Sequence, residues 1–279
     1  TGYQLSLDPT GSFAILRIPE AEYQAGYDDS ARIQKICQFV YRHFSDSFDF
    51  IHVLGHSESV PSSARYVGRT FRVRNDVEGL NLGTFDRTAA YGSDGRLRSV
   101  QHFPSYRALL GGPSLHEILH TWGQRLLPPD RVAGPAEHWG FSSARGQLGG
   151  FDVVTLTSSP TTEDLYFASN GLPGSTSFGL NANGGNGLPY SEIELYMMGL
   201  VPLSSVPDIA FAPRARFVDA AQGFFEAPDG FKRLDGELIE QWHGRRKPSV
   251  NSSQKNFRGL VVLLTDRSTS PSQLSAIHD

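Results

Sequence analysis

The sequence has little of several features that identify common protein classes. It contains one cysteine, Cys37, among 279 residues, which excludes an internal disulfide and any metal site built from several thiolates. It has no run of about 18 apolar residues, so no membrane-spanning helix is expected. Its formal net charge is only −4, which gives no reason to expect nucleic acid or an anionic membrane as a partner.

The composition that remains is that of an ordinary globular protein. Apolar residues make up 39% and charged residues 19% of the chain, values typical of a protein with a sizeable core. The sequence begins at Thr1 without a signal peptide and ends just after a helix start at Ser270. We therefore expect a longer natural protein, with a removed propeptide as one option.

The first 123 residues alternate between strand and helix patterns. Apolar residues recur at helical spacing over 29–44 and predict an amphipathic helix that buries Cys37. The other elements predicted in this part are strands, at 13–18, 49–56 and 67–75, with further strands within 80–103 around the turn 92–96. This order predicts a mixed sheet with helices packed on it.

After Gly123 the composition changes. Residues 124–190 are rich in Gly, Ser, Pro and Asn and have little periodicity, which predicts a region dominated by loops. Regular structure returns in predicted helices at 191–200 and 236–244 and a strand at 257–266. We expect an α+β fold with an N-terminal lobe over 1–123 and a loop-rich C-terminal lobe over 124–279, which together form one domain.

The stretch GGPSLHEILHTWG, 111–123, carries two histidines four residues apart with a glutamate after the first. Residues i and i+4 share one helix face, so His116 and His120 can both bind one tetrahedral zinc ion at about 2.0–2.1 Å. Glu117 is rotated from His116 by about 100°, beside the metal, where it can accept a proton from water. Gly123 would end this helix.

A structural alternative fits the same residues. The sequence SLHE matches a capping box in which Ser114 is the N-cap and Glu117 bonds back to its amide. Both histidines would then be ordinary, partly buried side chains. The apolar residues that accompany them, Leu119 among them, and the glycine that follows favour the zinc hypothesis.

HEILHTWG, residues 116–123, resembles the zincin metallopeptidases and, through its glycine, their metzincin branch, whose pattern is H-E-x-x-H-x-x-G-x-x-H. The resemblance implies a zincin-like fold, Zn²⁺, a protein or peptide substrate, and Glu117 as general base and then general acid. Leu126 stands where that branch has its third histidine. With the later HW at 138–139 and ELYMMGL at 194–200, the sequence is also similar to a group of bacterial proteins.

A catalytic zinc site needs a third protein ligand. His138 is the favoured candidate because it lies 18 residues after His120, in a loop, and some zincins delay this ligand by an insertion. Glu194, or Glu192, is the alternative, since a glutamate on a downstream helix completes the site in the gluzincin branch. The remaining alternatives are Asp130, Asp152 and, more distantly, His243.

Two further features of such sites have candidates here. Tyr196 or Tyr190 can stabilise the transition state by a hydrogen bond to the developing oxyanion. The apolar floor beneath the metal is a methionine in metzincins. Met198 or Leu148 can take that place. Core packing is, however, the simpler interpretation of Met198 and of its neighbour Met197.

These features together predict a zinc-dependent peptidase, and more specifically an endopeptidase, whose two lobes form one catalytic domain. A zinc amidase that acts on cell-wall peptide would use the same chemistry. A peptidase-like binding or surface module without turnover is the alternative from another class, but such a module has no need of Glu117. Secretion to the extracellular or periplasmic space is expected, because an exposed peptidase is hazardous inside its own cell.

Overall fold

A computed structural model of the chain describes residues 2–26, 29–123, 126–127 and 132–278. The chain divides into two compact units. The segments of unit 1 are Thr1–Asp76, Thr84–Thr121 and Asn256–Asp279, and those of unit 2 are Val77–Gly83 and Trp122–Lys255. Within the described part of the chain, no helix is both long and apolar enough to span a membrane.

The regular elements are numbered in chain order. The strands are β1 (Gln4–Leu7), β2 (Ala14–Arg17), β3 (Phe50–Ser57), β4 (Arg69–Arg72), β5 (Arg74–Asn75), β6 (Phe85–Asp86), β7 (Ser99–Ser105), β8 (Thr157–Ser158), β9 (Leu165–Phe167), β10 (Ile209–Phe211), β11 (Arg216–Asp219), β12 (Phe224–Glu226), β13 (Lys232–Leu234) and β14 (Gly259–Thr265). The α-helices are α1 (Glu20–Gln24), α2 (Ser30–Val40), α3 (Thr88–Tyr91), α4 (Ala108–Gly111), α5 (Ser114–Leu119), α6 (Glu192–Met198), α7 (Gly236–His243) and α8 (Pro271–His278).

Unit 1 is built on a six-stranded mixed sheet in the order β1-β2-β14-β3-β7-β4. Its four central strands run parallel, and the two edge strands β1 and β4 run antiparallel to their neighbours. The central strands are rich in Val, Ile and Leu because both of their faces are covered. The predicted α+β class and mixed sheet are confirmed at this level.

Helix α2 covers one face of this sheet. Asp29 caps its N-terminus by accepting from the Ala31 amide at 2.9 Å, and Ile33, Ile36 and Cys37 pack against sheet residues. Cys37 is fully buried, as predicted, and this burial raises the pKa of its thiol. The opposite face carries a second cluster, which contains Leu54, Phe103 and Leu263 from the sheet and partly buried residues of α8.

Several predicted elements of unit 1 differ in detail. The strand predicted over 67–75 is two short strands, β4 and β5, which pair with different partners. The stretch 80–103 contains helix α3 as well as strands, and Gly92 ends that helix with φ 79°. The final predicted turn of α2, 41–44, lies beyond its last helical residue.

Unit 2 has more regular structure than its composition predicts. Strands β11, β12, β9 and β8 form a four-stranded sheet, and β10 pairs with β13. Its core is a phenylalanine cluster that includes Phe141, Phe151, Phe178 and Phe225. Such large aromatic contacts hold together a segment in which glycines and prolines interrupt every long periodic pattern.

The boundary between the units is close to the predicted lobe boundary. The segment of unit 1 that contains α5 ends at Thr121, whereas the predicted lobe ends at Gly123. Residues 256–279, however, belong to unit 1. The reason is that β14 inserts between β2 and β3 as a central strand of the sheet, a long-range pairing that no local pattern reveals.

Candidate metal centre

Helix α5 carries the two histidines and the glutamate of the motif. It begins at Ser114, directly after Pro113, and has no side-chain hydrogen bond at its N-cap. The capping-box alternative is therefore wrong, because Ser114 lies inside the helix rather than before it. The helix ends at Leu119, earlier than the predicted end near Gly123, but His120 keeps helical dihedral angles of φ −59° and ψ −11°. His116 and His120 thus share one face.

Edge strand β4 fixes this helix through two polar side chains. Thr70 Oγ1 donates to the Glu117 carbonyl at 2.5 Å and to Glu117 Oε2 at 2.9 Å. Arg72 Nε donates to the His120 carbonyl at 2.5 Å. The motif alone does not reveal these residues. The only sequence signal is the spacing of Thr70 and Arg72, which places both on one face of a strand.

The two motif histidines face each other directly. Their Nε2 atoms lie 3.1 Å apart, and their ring planes are nearly perpendicular. Nitrogens bound at about 2.0–2.1 Å to one tetrahedral ion are separated by about 3.4 Å. The observed pair is close to that spacing before any metal is considered.

His138 is the third histidine of the group. Its Nδ1 lies 2.8 Å from the Ala136 carbonyl, which can only accept, so Nδ1 carries the proton and Nε2 is the acceptor nitrogen of the neutral ring. Burial lowers the pKa of His138, which favours the neutral form that binds metals. Ring nitrogens of His116, His120 and His138 all lie within 4.8 Å of one another, so this group could hold a metal ion.

Glu117 is nearly inaccessible to solvent, with 6% of its surface exposed. This burial raises the pKa of its carboxyl to about 7, while the Thr70 hydrogen bond opposes the rise. Gly68 leaves the space that the side chain occupies, because a Cβ atom there would lie 2.8 Å from Glu117 Cγ. The carboxylate is thus confined by a glycine and oriented by a hydroxyl.

Glu194 has a different role from the ligand predicted as the alternative to His138. It is fully buried, and its two carboxylate oxygens accept from Trp139 Nε1 and from the amides of Gln147, Leu148 and Ser191, at 2.9–3.0 Å. These four donors occupy the lone pairs that a metal ion would need. Glu194 therefore holds the loop 139–148 against α6, and the alternative that it is the third metal ligand is wrong.

The apolar surroundings of His138 in unit 2 include both kinds of predicted floor residue. His138, Trp139, Leu148 and Met197 line one small cavity. Leu148 was predicted for this place, and Met197 rather than its neighbour Met198 accompanies it. Both methionines are also part of the buried core, so packing accounts for them equally well.

The remaining candidates have other surroundings. Tyr196 is 3% exposed, and this burial raises the pKa of its hydroxyl. The charged residues that also act on this pKa are Arg246 and Glu240. Asp152 caps a short 3₁₀ helix and pairs with Arg145. Of the other ligand candidates, His243 has its Nε2 2.9 Å from the Leu126 carbonyl, and Asp130 lies outside the described residues. Tyr190, the second candidate for transition-state stabilisation, has a phenol pKa raised by burial.

No protein-family model, curated protein or solved structure matches this chain. The resemblance to zincins consequently stays a prediction that depends on residues 116–123.

Proposed function

We propose that this protein is a zinc-dependent peptidase, an endopeptidase in the first instance, with His116, His120 and His138 as metal ligands. The observation that carries the proposal is the convergence of three histidine ring nitrogens within 4.8 Å, next in sequence to a buried glutamate. Sequence spacing alone singles out the first two histidines. The sequence offers several candidates for the third ligand, and the proximity of His138 to the pair supports this residue.

The donor set suits a catalytic ion. Known catalytic zinc sites include ones with three neutral imidazole ligands and a fourth position left open for water or substrate. In addition, the Nδ1–H of His138 donates to a carbonyl, as the second ring nitrogen of metal-binding histidines commonly does. When bound in such a site, zinc polarises a substrate carbonyl and lowers the pKa of water. An all-histidine set is less suited to Mg²⁺ or Ca²⁺, which prefer oxygen ligands.

Glu117 supplies the proton transfers. Its carboxylate accepts a proton from the attacking water as general base and then delivers a proton to the departing amine as general acid. In the metal-free protein the pKa of this carboxyl is about 7. A bound zinc ion would lower that pKa, so the carboxylate that accepts the proton would be present near neutral pH. Thr70 and Gly68 keep the side chain in one place during the cycle.

Three finer parts of the proposal come from the sequence. The first prediction is that Tyr196 stabilises the transition state, and the second is that the protein is secreted. The third is that it acts as an endopeptidase and not as a cell-wall amidase. The binding-module alternative makes a different prediction, since in that case Glu117→Gln would change no measurable activity.

The test combines metal content with cleavage. Wild type, His116→Ala, His138→Ala and Glu117→Gln are purified, supplied with zinc, dialysed and analysed by mass spectrometry for bound metal. His278→Ala is the matched control, because this histidine is exposed on α8. We expect about one zinc per chain in wild type, Glu117→Gln and His278→Ala, and its loss in the two ligand variants.

The same proteins are then incubated with a peptide library. We expect cleavage by wild type and a loss of about 10²–10⁴-fold in Glu117→Gln, although this variant keeps its metal. Retention of zinc by His138→Ala would remove this residue from the site. Zinc binding without cleavage in any protein would instead favour the binding module.

A further inference from the structure

Unit 1 contains a second cavity, which the proposed peptidase chemistry does not use. Its volume is about 440 Å³, and it lies where β3 ends, with Gly55, His56 and Ser57 in its wall. Arg267 joins this wall just after the end of β14. Crevices at the carboxyl ends of parallel strands are frequent ligand sites in α/β sheets, and this volume is in the usual range for small-molecule pockets. We call it the strand-end cavity.

The wall of the strand-end cavity that His102 forms lies on the face of the sheet opposite to helix α5. Ser99 Oγ contacts Thr121 Oγ1, just beyond α5, at 2.6 Å, so the odd-numbered residues of β7 face that helix. His102 is even-numbered and lines the cavity. Because successive side chains of a strand point to opposite faces, His102 lies on the side of the sheet away from Glu117 and its helix.

One wall of the cavity is fixed by a buried carboxylate. Asp266, whose side chain is 2% exposed, accepts from Arg267 Nε at 2.8 Å and Nη2 at 3.0 Å, and its Oδ1 lies 3.2 Å from His56 Nε2. Tyr23 stacks on the His56 ring at a centroid distance of 5.0 Å. These contacts hold an imidazole and a guanidinium in defined positions, as a ligand site requires.

The facing wall is also polar and organised. Tyr66 Oη lies 2.8 Å from His102 Nδ1, and Arg65 is exposed beside this pair. Pro61 and Pro104 add rigid apolar surface. The cavity thus combines aromatic and proline surface with several nitrogen donors.

The hydrogen-bond donors of the lining select the ligand, with Asp266 already offsetting the charge of Arg267. Among the described residues that line the strand-end cavity, two are arginines and two are histidines, and none is an aspartate or glutamate. We propose that the cavity binds a small organic carboxylate, with its anionic group at Arg65 and its apolar or aromatic body between the tyrosine and proline walls. Guanidinium groups match carboxylates by paired hydrogen bonds, and the apolar surface disfavours a bare inorganic ion.

The test compares carboxylates with their uncharged amides by isothermal titration calorimetry. The probes are acetate, benzoate and N-acetylphenylalanine, each paired with acetamide, benzamide or N-acetylphenylalanine amide. Binding is measured to wild type, Arg65→Gln and Arg17→Gln. The last variant removes an exposed arginine of β2 that does not line the cavity, so it controls for the loss of one positive charge.

A carboxylate could also bind at a zinc ion, so the titrations are repeated with His116→Ala. We expect at least one carboxylate to bind, its amide to bind about tenfold more weakly, and Arg65→Gln to weaken the carboxylate about tenfold. His116→Ala and Arg17→Gln should leave the affinity within about twofold.

Four results would overturn the proposal. These are equal binding of acid and amide, unchanged affinity in Arg65→Gln, loss of binding in His116→Ala, and no binding of any acid up to about 10 mM. The strand-end cavity does not include His116, His120 or His138. A failure of the peptidase proposal would therefore not change the carboxylate binding expected here.

Discussion

Thr70 Oγ1 lies 2.9 Å from Glu117 Oε2 and 2.5 Å from the carbonyl oxygen of the same residue. One hydroxyl therefore ties the edge strand of the sheet to both the backbone and the side chain of the proposed general base. Because the hydroxyl has one proton, the two contacts share it. The orientation of the Glu117 carboxylate thus depends on a residue far from the motif in sequence.

Replacement of Thr70 by valine keeps the shape of the side chain and removes the hydroxyl. We expect the free energy of unfolding to fall by about 1–3 kcal/mol and zinc content to stay unchanged. The Thr70 bond lowers the pKa of Glu117, so its loss raises that pKa and moves the acid limb of the activity–pH profile to higher pH. Thr70→Ser, which keeps the hydroxyl, is the control. An unshifted profile in Thr70→Val would show that the bond is merely structural.

Gly68 provides a steric test of the same carboxylate. A Cβ atom at this position would lie 2.8 Å from both Glu117 Cγ and Pro113 Cγ and 3.0 Å from Glu117 Oε1, so Gly68→Ala must displace the Glu117 side chain, Pro113 or both. We expect zinc content to be unchanged and the peptidase rate to fall about 10²-fold, since small misplacements of a reacting group have effects of this size. Gly187→Ala is the matched control, because a Cβ there meets nothing within 4 Å. Equal rates for both variants would contradict the proposed role of Glu117.

The Glu194–Trp139 bond predicts an indirect effect on the metal. Glu194→Gln exchanges an acceptor oxygen for an amide group that cannot accept from the donors around it. We expect unfolding free energy to fall by about 2–4 kcal/mol and zinc affinity to fall about tenfold, because His138 adjoins Trp139. The measurements are chemical denaturation and competition with a zinc-binding dye.

Trp139→Phe removes a single donor from the same carboxylate, so a smaller loss of stability, about 1 kcal/mol, is expected. Trp242→Phe serves as its control, since that tryptophan lies on α7 and does not bond Glu194. If Glu194→Gln bound zinc more tightly than wild type, the interpretation that Glu194 supports the metal site by holding the loop 139–148 would be wrong.

The sequence predicts local elements of this protein well where a single pattern determines them. The periodicity of 29–44 marks α2, and the apolar run 49–56 marks β3 nearly to the residue. The spacing of His116 and His120 places their rings together because one helix turn connects them. The sequence favours His138 because it follows the pair in a loop, where some zincins place a delayed third ligand. Its proximity to the pair depends on a loop path that no local pattern encodes.

Other features escape the sequence because they depend on distant partners. Strand β14 completes the sheet of unit 1 from the far end of the chain, which a reading by consecutive segments assigns to the second lobe. Glu194 looks like a ligand on a downstream helix, yet the amides of a loop some 46 residues earlier fill its oxygens. Thr70 is one of many threonines in strand patterns until β4 is seen beside α5.

Two buried groups give the metal-free protein opposing dependences of stability on pH. Burial lowers the pKa of His52 from 6.5 to about 4, so between these values the unfolded chain holds a proton that the folded chain lacks. Its contribution to stability is present above pH 6.5 and is lost as the pH falls towards 4. Burial raises the pKa of Glu117 from 4.5 to about 7, so its contribution is present below pH 4.5 and is lost as the pH rises towards 7.

Each of these terms amounts to about 3 kcal/mol at most, and in wild type they largely cancel. Single variants separate them. Relative to wild type, metal-free His52→Gln should become less stable as the pH rises from 4.5 to 7, because only the Glu117 term remains. Glu117→Gln should become more stable over the same interval, because only the His52 term remains. Urea denaturation at several pH values measures both slopes. Slopes of the same sign in the two variants would mean that at least one of these side chains does not keep its buried protonation state in the folded protein.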